Sequence, residues 1–310
     1  MSAERSRDTV TATIVVTTHN RQELADRALA SALAQADIDV EVIVVDDGSE
    51  PPYRATTDDA RVRVIRNELP HGPSAARNQA LKLASGTWIT FLDDDDVLLP
   101  TMLLSSIEAA DRSSLARPVS TLSGAQIVDT EGNVLETRLP PTLPLGAHFF
   151  LEDVDGSFQT HATLVAPTKL LREMHGFDEE LPASEHDDFF LRLNALSSIE
   201  GLQAVTYQIT AHSGPRLSKS VLERAEGMES TVAKHKKTFE QHRRRYAHYQ
   251  ATIGVTYLRA GKWWPAVKAS TKALIIDPTR PKAYYWWLAS LAGPLPIEIR
   301  RRFRPGRGGS

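Results

Sequence analysis

The chain has 310 residues, of which 41% are hydrophobic and 24% charged, enough apolar material for one large core or two smaller ones. Its formal net charge of -3 removes the global basic field that a nucleic-acid binder carries, so no nucleic-acid partner is expected. It has no cysteine, which excludes disulfides, cysteine-ligated zinc and thiol catalysis. Met1 to Val10 alternates charges with small polar residues and lacks the apolar segment of a signal peptide, so a cytoplasmic location is expected. The longest nearly uncharged stretch, Ala283 to Ile297, is short for a spanning helix and is broken by Gly293, Pro294 and Pro296. Such a segment can lie on a membrane.

Thr11 to Thr18 (TATIVVTT) reads as a buried strand, and Ala25, Ala28, Leu29, Ala32 and Leu33 then recur at the spacing of an amphipathic helix. Val40 to Val45 is a second apolar strand, stopped by Asp46-Asp47-Gly48-Ser49. Arg61 to Arg66 alternates as a third strand, Ser74 is placed to cap a helix through Leu83, and Trp88 to Leu92 is a fourth strand. This order predicts an α/β fold with a doubly wound, mostly parallel sheet, whose ligands bind beyond the carboxyl ends of the strands. Three such ends carry polar residues, Thr17 to Arg21, Asp46 to Ser49 and Asp93 to Asp96, and their convergence predicts one site. Beyond Pro100 the pattern gives a helix over Met102 to Ala110, strands over Ser120 to Asp129 and Thr163 to Ala166, and a proline-rich loop over Leu139 to Leu145. Leu222 to Arg245 is charged and helical. Ala247 to Leu288 resembles a single tetratricopeptide-like helical pair, through Gly254, Leu258, Gly261, Ala266, Ala273, Leu274 and Pro278. The expected domains are residues 1–221 and a helical region, 222–310, ending in a basic tail.

The run Phe91-Leu92-Asp93-Asp94-Asp95-Asp96 is the most informative feature. Four adjacent anions repel, so the cluster is costly unless a cation or strong donors sit against it. At the end of a strand it is where an α/β protein would hold a divalent ion on a phosphorylated ligand. The plain alternative is a solvated acidic turn.

Four strings occur in order: Thr17-Thr18-His19-Asn20-Arg21, Val44-Val45-Asp46-Asp47-Gly48-Ser49, Gly72-Pro73-Ser74-Ala75-Ala76-Arg77-Asn78, and Phe91 to Asp96. Their order and spacing resemble glycosyltransferase family 2. The resemblance implies a GT-A fold, a nucleoside-diphosphate-sugar donor, Mg²⁺ or Mn²⁺, inversion at the anomeric carbon, and a glycan, lipid-linked or small-molecule hydroxyl as acceptor. By the same resemblance Thr17, Thr18, Asn20 and Arg21 meet the nucleotide, Asp46 and Asp47 hold base and ribose, and Arg77 contacts the donor. Asp95 and Asp93 match the metal-binding DxD pair, with Asp93 or Asp94 on ribose or metal-bound water. His212 would complete metal or diphosphate binding, and Arg216, in a lid over Gly214 to Ser218, would touch phosphate. These types suit the roles, because carboxylates accept from base N–H and ribose hydroxyls while arginine supplies planar donors to phosphate. The alternatives are an Asx-type turn at Asp47, a surface helix charge at Arg77 and a surface side chain at His212.

Gly176-Phe177-Asp178-Glu179-Glu180-Leu181 resembles the family's loop before the catalytic acidic cluster, and Glu185-His186-Asp187-Asp188-Phe189-Phe190-Leu191-Arg192 resembles that cluster. A carboxylate there is the expected general base on the acceptor hydroxyl; a helix start enriched in acids is the alternative. Anchored on Arg192, the family's usual first Asp falls on His186, with Glu185, Asp187 and Asp188 around it. The assignment goes to Asp187, with His186 second and Asp188 holding the acceptor. Only one of two successive helical residues, about 100° apart, can aim at the acceptor. A sugar-phosphate nucleotidylyltransferase and a non-catalytic scaffold are the competing functions. At the C-terminus Trp263, Trp264, Tyr284, Tyr285, Trp286 and Trp287, with Arg300, Arg301, Arg302, Arg304 and Arg307, suit an anionic membrane surface or a protein partner. The aromatics would otherwise pack the helical pair.

Overall fold

The computed structural model describes residues 11–152, 160–211, 220–279 and 281–291. The chain divides into two compact units, Met1–Glu180 with Glu185–Arg216, and Leu181–Ser184 with Leu217–Ser310. The division falls a few residues before the expected boundary at 221, and a short piece ahead of the acidic helix goes with the second unit.

The first unit runs β1 (Ala12–Thr18), α1 (Gln22–Leu33), β2 (Val40–Asp47), β3 (Val62–Asn67), α2 (Pro73–Leu83), β4 (Trp88–Asp93), β5 (Val97–Leu98) and α3 (Met102–Arg112). It continues with β6 (Val119–Val128), β7 (Val134–Arg138), β8 (Leu164–Pro167), α4 (Thr168–Glu173), α5 (Glu185–Leu196) and β9 (Ser198–Thr210). Among the described residues nine strands make one sheet in the order β3-β2-β1-β4-β8-β6-β9-β5, with β7 on β6. β3, β2, β1 and β4 are all parallel. The remainder is mixed: β8 is antiparallel to both β4 and β6, while β6 and β9 are parallel. The expectation of a mostly parallel sheet therefore holds for the half made by β1 to β4 and is corrected for the other.

The register positions the site. Thr17 of β1 lies between Val45 of β2 and Asp93 of β4, and Thr18 lies opposite Asp46, so the three polar strand ends finish side by side. The apolar runs that make these strands are buried on both faces, as a parallel sheet covered by helices requires. α1 lays Ala25, Ala28, Leu29 and Ala32 into one core layer with Ile14, Val16, Val42 and Val44. α2 lays Ala76, Ala80 and Leu81 into the other, with Val15, Ile43, Val45 and Phe91. Gly86, at the turn into β4, sits where a Cβ would come 2.5 Å from the backbone of Ala12 and Thr13. α2 starts at Pro73, with Gly72 as N-cap at φ 92° and no side-chain cap. Ser74 therefore lies inside the first turn instead of capping it, and Pro73 takes the N1 position that its missing N–H and fixed φ favour.

The second unit is helical: α6 (Val221–Lys234), α7 (Lys236–Gln241), α8 (Arg243–Arg259), α9 (Trp263–Ile276) and α10 (Pro281–Leu291). A Cβ at Gly254 of α8 would meet Ser270 Oγ of α9 at 2.3 Å, which shows how closely the pair approaches. α8 and α9 are thus a helical hairpin; a hairpin alone does not establish the tetratricopeptide repeat. Trp263 Nε1 donates to the Ser290 carbonyl, and Trp287 Nε1 donates to Thr271 Oγ1 at 2.9 Å, so these two rings belong to the packing of their own unit. Trp264 of α9 is 70% exposed, and Tyr284 and Tyr285 of α10 are also exposed. The arginine-rich tail lies outside the described residues. Among the described residues no helix is long and apolar enough to cross a membrane.

Candidate active site

The acidic run splits by alternation. Asp94 and Asp96 turn into the protein and are 5% and 6% exposed. Asp94 accepts from Thr18 Oγ1 at 2.8 Å and from Arg21 at 3.0 Å. Burial raises its pKa against those two bonds. Asp96 accepts from Tyr207 Oη at 2.9 Å and from the Thr210 amide at 3.1 Å. Burial and the charges of Asp93 and Asp95 push it up to about 8. It fastens β9 to the acidic loop, a role the sequence did not disclose because its partners lie 111 and 114 residues away.

Asp93 and Asp95 keep more solvent contact, with side chains 34% and 21% exposed. Asp95 pairs with Arg21 at 3.1 Å, and Arg27 donates to its backbone carbonyl at 2.6 Å. Asp93 Oδ1 accepts from Arg77 at 2.7 Å and faces His161 Nε2 at 3.7 Å. Burial would raise the Asp93 carboxyl, yet Arg77 and His161 hold it well below the usual carboxylate range. Arg77 is 6% exposed, lies 5.3 Å from the centroid of the Phe177 ring, and has its NH1 nitrogen buried without a hydrogen-bond partner. A buried, unspent guanidinium donor beside paired carboxylates is suited to an oxyanion ligand.

At the end of β2 the two carboxylates are occupied by the protein. Asp46 is fully buried and accepts from the Ser49 and Tyr53 amides, each at 2.9 Å, and from Arg66 at 2.7 Å. Burial raises its pKa, and these bonds override that and hold it low. Asp47 accepts from Asn67 at 3.0 Å and from the amides of His71 and Gly72, at 2.9 and 2.8 Å for the shorter contacts. Both carboxylates therefore shape loops in this structure, and because the bonds of Asp47 run to Asn67, His71 and Gly72, the Asx-type turn expected as its alternative is not what holds it. Asn20, at φ 58°, ties the first loop to the second, accepting from the Glu50 amide at 2.7 Å and donating its own amide to Ser49 Oγ at 2.9 Å.

The far wall is built by α5 and the loop before it. Asn78 of α2 clamps that loop, donating to the Phe177 carbonyl and to Glu179, and accepting from the Phe177 amide, each at 2.8 Å. Phe177 stacks on Phe189 at 4.3 Å and meets Phe91 edge-on at 5.1 Å. On the first turn of α5 His186 packs edge-on against Phe150 and Phe190 and brings its Nδ1 to 3.3 Å from His161 Nδ1. His161 in turn packs against Phe91 and Phe177. Burial and the Arg77 guanidinium push its ring down to about 4, against the pull of Asp93. His186 is therefore the residue of the cluster that the structure connects to Asp93, with Asp187 turned about 100° around the helix from it.

Asp188 is fully buried and accepts from Arg192 at 2.6 Å, while Arg192 also donates to the Met174 carbonyl at 2.8 Å. The expected acceptor-holding role of Asp188 is corrected to an ion pair that seats α5. Asp188→Ala should lower stability by about 3 kcal/mol, the low end for a broken buried pair because Arg192 keeps some solvent contact. Urea denaturation measures this, and an unchanged midpoint would refute the structural role.

His212, Arg216 and the rest of the expected lid lie outside the described residues. Among the described residues no group of three or more histidine or acidic side chains is arranged to hold a metal. His161 was missed by sequence reasoning. Its one local signal is a place directly ahead of the strand that pairs with β4.

Residues 13–143 match the sequence profile described as Glycosyl transferase family 2. The succinoglycan biosynthesis protein ExoO of Rhizobium meliloti (strain 1021) is 39% identical over 143 residues, 43% of this chain and 40% of that protein. The GalNAc(5)-diNAcBac-PP-undecaprenol beta-1,3-glucosyltransferase of Campylobacter jejuni is 33% identical over 127 residues, 39% of this chain and 40% of that protein. The matched part thus spans well under half the length of these two relatives. Among solved structures, S. aureus TarS covers 96% of this chain and 56% of its own at TM-score 0.61 and 18% identity. Its residues 1–349 in complex with UDP-GlcNAc cover 91% and 80% at TM-score 0.53 and 19% identity, likenesses that bear on fold alone. Residues 13–143 are thus similar in sequence to glycosyl transferase family 2, and the chain shares its fold with the TarS structures.

Proposed function

We propose that this chain transfers a sugar from a nucleoside-diphosphate-sugar donor to a hydroxyl of a glycan, lipid-linked or small-molecule acceptor, with inversion at the anomeric carbon and with Mg²⁺ or Mn²⁺. The observation that carries the reading is the strand-end crevice in which the buried, unspent donor of Arg77 sits beside Asp93, next to the more exposed of the four acids. The Campylobacter relative is named for an undecaprenol-diphosphate acceptor and the TarS complex for UDP-GlcNAc, which supports a UDP-sugar and a lipid-linked glycan as first candidates.

Arg77 NH1 is the donor available to phosphate, and Thr17, Thr18, Asn20 and Arg21 shape the loop over the nucleotide. Asp95 and Asp93 fit a hard divalent ion: carboxylates are its preferred protein ligands, two suffice when substrate phosphates and waters complete the shell, and Asp94 and Asp96 are spent inside the protein. When bound, the ion neutralises charge on the diphosphate leaving group. His212 and Arg216 are proposed as additional contacts to it and to phosphate. His186 takes the place first given to Asp187 as general base. It removes the acceptor hydroxyl proton as the oxygen bonds to the anomeric carbon, and the carbon–oxygen bond to the diphosphate breaks with its electron pair leaving on phosphate. The exposed aromatics of the second unit and its basic tail are proposed to hold the protein at the cytoplasmic face of a membrane.

A thermal-shift screen of nucleoside diphosphates with Mn²⁺ tests the donor reading. At a hundredfold excess over Kd one of them should stabilise the protein by about 2.7 kcal/mol. No shift with any of them contradicts it.

A further inference from the structure

A histidine base poses a question that a carboxylate in the same place does not: which ring nitrogen carries the proton. The Nδ1 atoms of His161 and His186 meet at 3.3 Å, and a contact of that kind holds one proton, so one ring donates and the other accepts. At the other end of the His161 ring, Nε2 is buried without a hydrogen-bond partner and faces Asp93 Oδ1 at 3.7 Å. A carboxylate accepts and never donates, so it is served by an N–H at Nε2. Arg77 donates to that same carboxylate oxygen at 2.7 Å and fixes it. A neutral His161 with its proton on Nε2 presents a lone pair at Nδ1. His186 then donates from Nδ1, and its own lone pair falls on Nε2.

We infer that His161 is a positioning residue that sets the tautomer of His186, so that Nε2 of His186 is the atom that accepts the acceptor proton. The tautomer stands on the geometry alone; its use in sugar transfer rests on the function proposed above. The series Arg77, Asp93, His161, His186 carries the influence of the carboxylate to the base without moving a proton along it. When Nε2 of His186 takes the hydroxyl proton, the resulting imidazolium keeps donating from Nδ1 to the lone pair of His161. The aromatic walls maintain the arrangement: Phe91 and Phe177 meet His161 edge-on, and Phe150 and Phe190 meet His186 edge-on. The departure from an acid at position 186 thus has a second histidine behind it, and a carboxylate base would have no tautomer for that ring to set.

Long-range proton–nitrogen correlation spectra of the full chain labelled in its histidine rings, recorded at pH 8, read the tautomers directly. Resonances are assigned by loss in His161→Asn and His186→Asn. The expected result is a proton on Nε2 of His161 and on Nδ1 of His186; the reverse pair overturns the inference. A kinetic arm measures UDP release from UDP-GlcNAc with Mn²⁺. His161→Phe should lower kcat about tenfold or more at unchanged donor KM. His161→Asn, whose side-chain oxygen can replace the Nδ1 acceptor, should recover most of that loss, which a purely structural role would not do. Wild-type kcat in His161→Phe also overturns the inference. A wild-type chain that neither binds nor turns over any donor sinks the transferase reading, and the tautomers then still decide the inference by themselves.

Discussion

His186→Ala is expected to lose roughly 10²–10⁴-fold in kcat with donor affinity kept, the range for removal of a positioned general base. The ring lies on the first turn of α5 at 3.3 Å from His161, which faces the Asp93 carboxylate paired with Arg77. The deletion removes a proton acceptor and leaves the Arg77 and Asp93 side of the crevice intact, so the nucleotide should bind as before. Asp187→Asn, rotated about 100° around the helix, should retain near-normal turnover. The pair of variants discriminates the two bases. A His186→Ala enzyme with near-normal kcat and a crippled Asp187→Asn enzyme would return the assignment to the carboxylate.

The second large effect is expected at Asp95. Asp95→Ala should abolish the Mn²⁺-dependent part of donor binding, read by titration calorimetry of UDP with Mn²⁺ against UDP with EDTA. The fold should survive, because Arg21 keeps its bond to Asp94 at 3.0 Å and the lost ion pair is partly solvated, worth about 1 kcal/mol or less. Equal Mn²⁺ dependence in the variant would remove Asp95 from the metal site. Loss of UDP affinity in EDTA as well would point to Asp95 holding Arg21 in place rather than holding the ion.

What the sequence disclosed and what it hid divide on physical lines. The apolar runs of β1, β2 and β4, each ended by polar residues, made the parallel half and its crevice legible, because strand ends in such sheets converge whatever loops follow. The antiparallel β8 between β4 and β6 was not legible, since a strand of four residues carries no signal for its pairing direction. Asp46 and Asp47 illustrate a second limit. The resemblance implied ligand contacts there, while whether a strand-end carboxylate turns outward or binds amides of its own or a neighbouring loop depends on loop geometry. For α5 the composition located the acidic first turn, and the ambiguity was one of helical phase: a single-residue rotation exchanges His186 for Asp187. The Asp188–Arg192 pair, four residues apart, fixes that phase from within the helix. His161 was hidden because its partners, Asp93 and His186, stand 68 residues before and 25 residues after it, and meet it only through the fold.

Anomalous diffraction at the manganese edge, from crystals grown with UDP and Mn²⁺, tests the central claim most directly. The claim is that the strand ends of β1, β2 and β4 hold a metal-bound nucleoside diphosphate. The predicted result is a single strong peak beside the Asp95 carboxylate, between it and the diphosphate, with Arg77 on phosphate. UDP bound elsewhere, or manganese held away from Asp93 and Asp95 with nucleotide in the crevice, would contradict it.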